Sequence, residues 1–268
     1  MLNLQGRFLK DKAIKMKKTA LISGASSGIG RATARLFAKN GIRLILCGRR
    51  ADRLQALQEE LSQFSDVCTL VFDVRDREAT AKALQSRPAA FEKIDILINN
   101  AGNAHGLDLI HEGRIDDWEA MIDINIKGLL YLSRALLPAM VARGRGHVVN
   151  IGSIAGKEAY PRGNVYVATK FAVDGLTRAM RQDLLGTGVR VSAVHPGLVH
   201  TEFSEVRFKG DHEKAEAVYE GYRPLEAVDV ADSIWYIVSR PDHVNVADLL
   251  ILPSDQASAT LVDKKTGT

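Results

Sequence analysis

The chain has 268 residues, 46% of them hydrophobic and 25% charged, enough apolar material for one large α/β domain or two small ones. Lys and Arg outnumber Asp and Glu by 36 to 32, a net charge of +4, and no stretch interleaves dense basic residues with aromatics, which argues against nucleic acid as a partner. Cys47 and Cys68 are the only cysteines and both sit in apolar runs, so no disulfide framework and no metal cluster is expected, and a reducing cytoplasm fits.

Residues 1–15 are expected to be a flexible extension or an upstream start, because Met16 opens MKKTALISG, itself a sensible first strand. The start is basic without a signal-type apolar core, and no apolar run approaches the roughly 18 residues that span a bilayer, so no membrane contact is expected. Short β-branched or leucine-rich runs then recur at 19–23, 43–47, 67–72, 94–99, 147–151, 189–195 and 249–252. Between them, 29–39, 51–64, 77–85, 115–141, 165–185 and 228–239 carry apolar residues at helical spacing. This alternation predicts an α/β fold: a doubly wound, Rossmann-type parallel sheet of seven strands with helices on both faces. Residues 16–268 are expected to form one domain, with 198–222 as an excursion over the active-site end of the sheet.

The first strand runs into Ser23-Gly24-Ala25-Ser26-Ser27-Gly28-Ile29-Gly30, and a helix starts near Ile29. Glycines here let a pyrophosphate approach the backbone N–H groups at a helix N-terminus, with Ser26, Ser27 and Ile29 beside it. An NAD site carries an acid at the end of the second strand for the ribose 2′-hydroxyl. Here that strand ends Cys47-Gly48-Arg49-Arg50, where Arg49 offers a planar fork for a 2′-phosphate and Arg50 adds charge, so NADP(H) is the expected cofactor. The alternative is that both arginines are solvated residues opening a helix. Asp52, the only nearby acid, is expected to be the N-cap of 53–61. Asp73 and Val74 follow the third strand, where Asp73 suits an adenine amino group. Asn99-Asn100-Ala101-Gly102 ends the fourth strand where the cofactor should cross, although either asparagine would equally serve to brace the turn.

Tyr166 and Lys170 are four apart and so share one face of a helix, where the ammonium reaches the phenol. A phenol titrates near pH 10, and a cation beside it favours the phenolate, toward the range useful for general acid-base work. Ser153 is suited to hold a substrate oxygen. No metal site is expected.

Over nearly its whole length the chain resembles the short-chain dehydrogenase/reductase family. The resemblance rests on SGASSGIG, NNAG, Asn125 in DINIKG, Ser153, YVATK and HPGLVHT, in the family's order and spacing. It implies a catalytic tetrad of Asn125, Ser153, Tyr166 and Lys170, with Pro196, Gly197, Val199 and Thr201 on the nicotinamide side. Tyr166 would protonate the carbonyl oxygen that Ser153 holds, Lys170 would bind the nicotinamide ribose and depress the tyrosine pKa, and Asn125 would hold a water. Gly128 makes an irregular helix plausible near Asn125. One departure is Ser23, where the family usually has Thr; the hydroxyl is kept. The resemblance also implies a homo-oligomer, a tetramer in preference to a dimer, assembled through the helices at 115–141 and 165–185.

More narrowly, GNVYVATK, RQDLLGTGVRV, PGLVHTEFSEVRFKGD and PDHVNVADLLILP resemble the NADP-dependent 3-hydroxy acid (serine) dehydrogenase branch. That branch interconverts L-serine, L-allo-threonine and related 3-hydroxy acids, as small-molecule substrates, with 3-oxo acids or semialdehydes. Such substrates carry a carboxylate, and Arg207 in the excursion or Arg162 before the catalytic helix suits a bidentate contact. The alternative is a carbonyl reductase for bulkier ketones, its apolar pocket lined by Tyr160, Phe203, Phe208 and Tyr222. A more distant alternative is a cofactor-sensing binding protein, which has no use for Tyr166.

Overall fold

In the computed structural model, which describes residues 18–265, the apolar runs become parallel strands because both of their faces are covered by helices. Strands β1 (Thr19–Ser23), β2 (Arg43–Gly48), β3 (Val67–Val71), β4 (Ile96–Asn99), β5 (Gly146–Ile151) and β6 (Val189–Pro196) occur in chain order, and two residues at Val199–His200 form β7. Leu225–Glu226 forms β8 and Asp248–Ile251 forms β9. The main sheet has seven strands in the order β3-β2-β1-β4-β5-β6-β9, every pair parallel, as the sequence predicts. Strands β7 and β8 make a separate two-stranded ribbon.

Alternation along each strand divides the core in two. Ala20, Ile22, Leu44, Leu46, Ile96 and Ile98 point to one face and meet Phe37 of α1 (Gly28–Lys39), Leu54 and Leu57 of α2 (Ala51–Leu61) and Ile234 and Ile237 of α9 (Ala227–Val238). Leu21, Ile45, Leu97, Val148 and Val191 point to the other. They meet Leu84 of α3 (Arg77–Gln85) and Leu132, Leu136 and Met140 of α5 (Leu129–Ala142). Cys47 and Cys68 lie buried within this second layer as free thiols, and burial pushes Cys68 up to about 11.

The helical run expected at 115–141 is interrupted. α4 (Ile115–Ile122) passes through a π-helical turn, Asp123–Gly128, into α5. Gly128 is needed there because a Cβ would lie 2.7 Å from Val74 Cγ2. The joined run Ile115–Ala142 spans 28 residues and holds an 18-residue stretch with a mean hydropathy of 1.2, so the expectation that no apolar run reaches bilayer length is corrected. Its length comes from three consecutive helical pieces, and the inward side of α5 packs on the sheet.

Asp52 is not the N-cap expected of it. α2 already begins at Ala51 with Arg50 at the cap, which leaves Asp52 in the first turn, where a carboxylate complements the helix dipole. The expectation for residues 1–15 lies outside the described residues. Strand order reverses between β1 and β4, which opens a crevice beyond their C-terminal ends. Residues 198–222 carry β7, α7 (Phe203–Arg207) and α8 (His212–Ala217) across that crevice.

Candidate active site

The crevice is a cleft of about 410 Å³. Gly24 (φ +64°) and Gly28 (φ +49°) take the left-handed backbone of the strand-to-helix turn. A Cβ on Gly24 would meet Asn100 Nδ2 at 2.9 Å and Ala101 Cα at 3.0 Å, so the loop and the end of β4 fit together only without a side chain. Ser23 keeps the function of its hydroxyl, accepting from the Asn100 and Ala101 N–H groups at 3.0 Å each. Asn100 Nδ2 donates back to the Ser23 and Gly24 carbonyls at 2.9 and 3.2 Å. Asn99 faces away, donating to Ser133 Oγ and Asn150 Oδ1 beneath the sheet, so it braces while Asn100 lines the cleft.

Of the expected cofactor residues, Gly24, Ser26, Ser27, Gly28, Ile29, Arg49, Arg50, Asp73, Val74, Asn100, Ala101, Gly102, Pro196, Gly197, Val199 and Thr201 all line this cleft. Gly30 does not. A Cβ there would collide with the Gly24 carbonyl oxygen and Asn100 Nδ2, so its part is close packing of helix on loop. The two arginines divide the phosphate end unequally. Arg50 donates from Nε and Nη2 to Ser26 Oγ at 3.1 and 3.0 Å and from Nη2 to Ser27 Oγ at 2.8 Å. Arg49 extends outward, 60% exposed, with Nη1 3.8 Å from Asp73. Asp73 is gripped by Arg75, whose Nη2 lies 2.6 Å from Oδ2. Against the cost of partial burial, Arg75 and Arg49 hold the Asp73 carboxyl below its ordinary range.

Ser153 follows β5, while Tyr166 and Lys170 lie one turn apart on α6 (Asn164–Asp183), and all three line the cleft. Lys170 Nζ donates to the Ile151 carbonyl at 3.0 Å, and burial lowers it to about 8. The expected lowering of the phenol is not found. Burial raises Tyr166 to about 12, opposed by the Arg207 guanidinium and by the hydrogen-bonding influence of Ser153, while Tyr160 adds to the rise. Lys170 Nζ lies 5.9 Å from the Tyr166 ring centroid, and the Arg207 Cζ is nearer at 4.9 Å.

Asn125 is buried in the π-turn with its side chain fully engaged, and it does not line the cleft. Its Oδ1 accepts from the Asn103 N–H at 2.9 Å, and Nδ2 donates to the Asn103 carbonyl at 2.9 Å and to Thr169 Oγ1 at 3.0 Å. The side chain therefore joins the end of β4 to α6, and any water would have to be held by its backbone.

Arg207, the last residue of α7, packs against both Tyr166 and Phe203, rings that themselves lie 5.6 Å apart, with its Cζ 5.3 Å from the Phe203 centroid. Nη2 donates to Tyr160 Oη at 3.1 Å, and Nε is buried with no partner among the described residues. Arg162 lies in the left-handed region at φ +65° and lines, with Arg207, Tyr166, Arg114 and Asp117, a small polar side pocket of about 10 Å³. Tyr160 and Phe203 line the main cleft; Phe208 and Tyr222 do not, because Tyr222 turns back to bond the Val218 carbonyl.

One contact in the cleft was not expected from the sequence. Glu202, next to Thr201, accepts from Arg50 Nη1 at 2.8 Å and from Arg53 Nη1 at 2.7 and 2.9 Å; its position directly after HPGLVHT was the available signal. His195, fully buried, places Nδ1 3.3 Å from the Ser153 carbonyl, with Nε2 3.6 Å from both Asp174 and Asp248. The Lys157 ammonium already bridges those two carboxylates at 2.8 and 2.5 Å.

Residues 18–212 match the family model described as short chain dehydrogenase. The chain is 48% identical over 242 residues to the NADP-dependent 3-hydroxy acid dehydrogenase YdfG of Salmonella typhi, covering 90% of this chain and 97% of that protein. It is 47% identical over 251 residues to sulfoacetaldehyde reductase 2 of Chromohalobacter salexigens, covering 93% and 100%. Among solved structures, the closed form of serine dehydrogenase complexed with NADP+ superposes with a TM-score of 0.87 at 45% identity, covering 92% and 100%.

Proposed function

The chain belongs to the short-chain dehydrogenase family and is an NADP-dependent oxidoreductase acting on hydroxyl and carbonyl groups; from that premise we propose that its substrates are small 3-hydroxy acids of the L-serine and L-allo-threonine type and the matching 3-oxo acids or semialdehydes. The observation that carries this reading is the Arg207 guanidinium, which lies against the Tyr166 ring with one N–H buried and unspent among the described residues. A planar fork in that position suits a carboxylate whose neighbouring oxygen reaches Tyr166. The relative named as a sulfoacetaldehyde reductase extends the candidates to small sulfonates, since the same fork suits three sulfonate oxygens.

NADP(H) fits the cleft: Gly24 and Gly28, in the left-handed turn, would let its pyrophosphate approach the backbone N–H groups, and arginines rather than an acid follow β2. When bound, it supplies or accepts the hydride. The tetrad residues Asn125, Ser153, Tyr166 and Lys170 then take these parts. Ser153 holds the substrate oxygen and Tyr166 Oη gives it a proton during reduction. A phenol raised to about 12 arrives already protonated for that direction, and for oxidation it must first lose the proton. Lys170, whose ammonium burial weakens, holds the nicotinamide ribose, and Asn125 fixes the catalytic helix to the end of β4.

The bulky-ketone alternative is less well supported, because only two of its four expected aromatic residues line the cleft and a guanidinium stands between them. Exposed Leu130, Val141 and Phe171 on α5 and α6 support a homotetramer built on those helices. Two buried free thiols suit a reducing cytoplasm.

NADPH absorbance should be followed in both directions with L-serine, L-allo-threonine, malonic semialdehyde, sulfoacetaldehyde and an uncharged aryl ketone. Turnover of the anionic substrates supports the reading; turnover of the ketone alone overturns it.

A further inference from the structure

Glu202 forms the N-cap of α7 and reaches across to the opposite wall of the cleft. Its carboxylate takes one N–H of Arg50 and one of Arg53, while the remaining contacts of Arg50 go to Ser26 and Ser27. A carboxylate of the excursion is thus docked on the donors at the adenosine end of the cleft, tying the glycine loop, the head of α2 and the head of α7 together. A phosphate ester needs the same donors, and it brings about 1.5 to 2 negative charges and three acceptor oxygens where Glu202 brings one charge and two. These ion pairs are half exposed, with side-chain exposures of 39% for Arg50, 44% for Arg53 and 32% for Glu202, so the carboxylate is held weakly enough to be exchanged.

What that exchange moves is α7, five residues long from Phe203 to Arg207. Its first ring lies 5.6 Å from the Tyr166 ring, and its last residue brings the guanidinium to 4.9 Å from the same tyrosine, against Phe203 as well. We propose that Glu202 is an internal surrogate for the 2′-phosphate of NADP(H), and that its displacement by that phosphate releases α7 and so sets Arg207, coupling cofactor choice to capture of the substrate anion. The inference rests on the reading that the arginines after β2 flank a 2′-phosphate. Coupling of this kind is reciprocal, so the substrate anion in turn tightens a 2′-phosphorylated nucleotide and leaves one without that group unaffected.

The test uses the full chain with adenosine 2′,5′-bisphosphate and adenosine 5′-monophosphate, titrated calorimetrically into wild type, Glu202→Gln and Arg53→Met. Amide hydrogen exchange across 203–207 is followed in parallel. Wild type should prefer the bisphosphate at least tenfold, and Glu202→Gln should tighten the bisphosphate a further five- to tenfold with the monophosphate unchanged within twofold. Exchange across 203–207 should accelerate several-fold when wild type binds the bisphosphate, and should already be fast in free Glu202→Gln. Arg53→Met, which removes the outer partner and leaves Arg50 in place, should fall between the two. Equal effects of Glu202→Gln on both nucleotides, or exchange indifferent to the bisphosphate, overturns the surrogate role while the 2′-phosphate reading stands. A wild type that does not distinguish the two nucleotides overturns both.

Discussion

The Arg207 guanidinium stacks on the Tyr166 ring at 4.9 Å, nearer than the Lys170 ammonium at 5.9 Å, although Lys170 shares a helix with that tyrosine and Arg207 comes from the excursion. The cation that pulls the phenol downward is therefore one that the excursion delivers.

Arg207→Met should lower kcat/KM for L-serine by about 30- to 150-fold, the equivalent of the ~2–3 kcal/mol carried by hydrogen bonds to a charged group. Turnover of an uncharged aryl ketone should change by less than about threefold on the same scale. A steady-state comparison of the two substrates checks this, and equal losses for both would remove the carboxylate role.

Tyr166→Phe keeps the ring that packs against Phe203 and deletes only the proton donor. Turnover should fall by about 10²–10⁴-fold, the usual contribution of a positioned acid, while NADPH binding measured by its fluorescence should stay within a factor of about two.

Burial lowers Lys170 from 10.5 to about 8, so between those values the unfolded chain binds more protons than the folded one and stability rises with pH. Tyr166 works in the opposite sense. Raised from 10 to about 12, it contributes stability that is lost as pH climbs above 10. Thermal unfolding of wild type against Lys170→Met from pH 8 to 10 isolates the lysine. The difference in Tm between the two proteins should shift in favour of wild type as pH rises through that window.

Phe171 on α6 is 44% exposed and, with exposed Leu130 and Val141 on α5, belongs to the helices proposed for assembly. Light scattering should give a multiple of the 29.3 kDa chain mass for wild type, and Phe171→Glu should move it toward a single chain. A monomeric wild type would remove the helix-mediated assembly from the proposal.

Gly30→Ala tests packing apart from ligand contact. The added methyl collides with the Gly24 carbonyl and Asn100 Nδ2, so overpacking should cost about 1–3 kcal/mol in chemical denaturation without any nucleotide present.

The sequence determined the seven strands of the main sheet, most helix boundaries and the glycine turn of the cleft, because strand burial, helical periodicity and glycine-rich turns are local effects written at short spacing. It also located the irregularity around Gly128, whose missing Cβ makes room for Val74. What it left open was every relationship made at long range. That Arg50 rather than Arg49 meets Ser26 and Ser27, that Glu202 from 152 residues away holds Arg50, and that Arg207 rather than Arg162 reaches the tyrosine all depend on how loops from separate strands converge. Pairing periodicity carries no record of such convergence. The sign of the Tyr166 shift belongs to the same class, since adjacency to Lys170 is local but desolvation is set by everything packed around the ring, and here desolvation outweighs the Arg207 guanidinium.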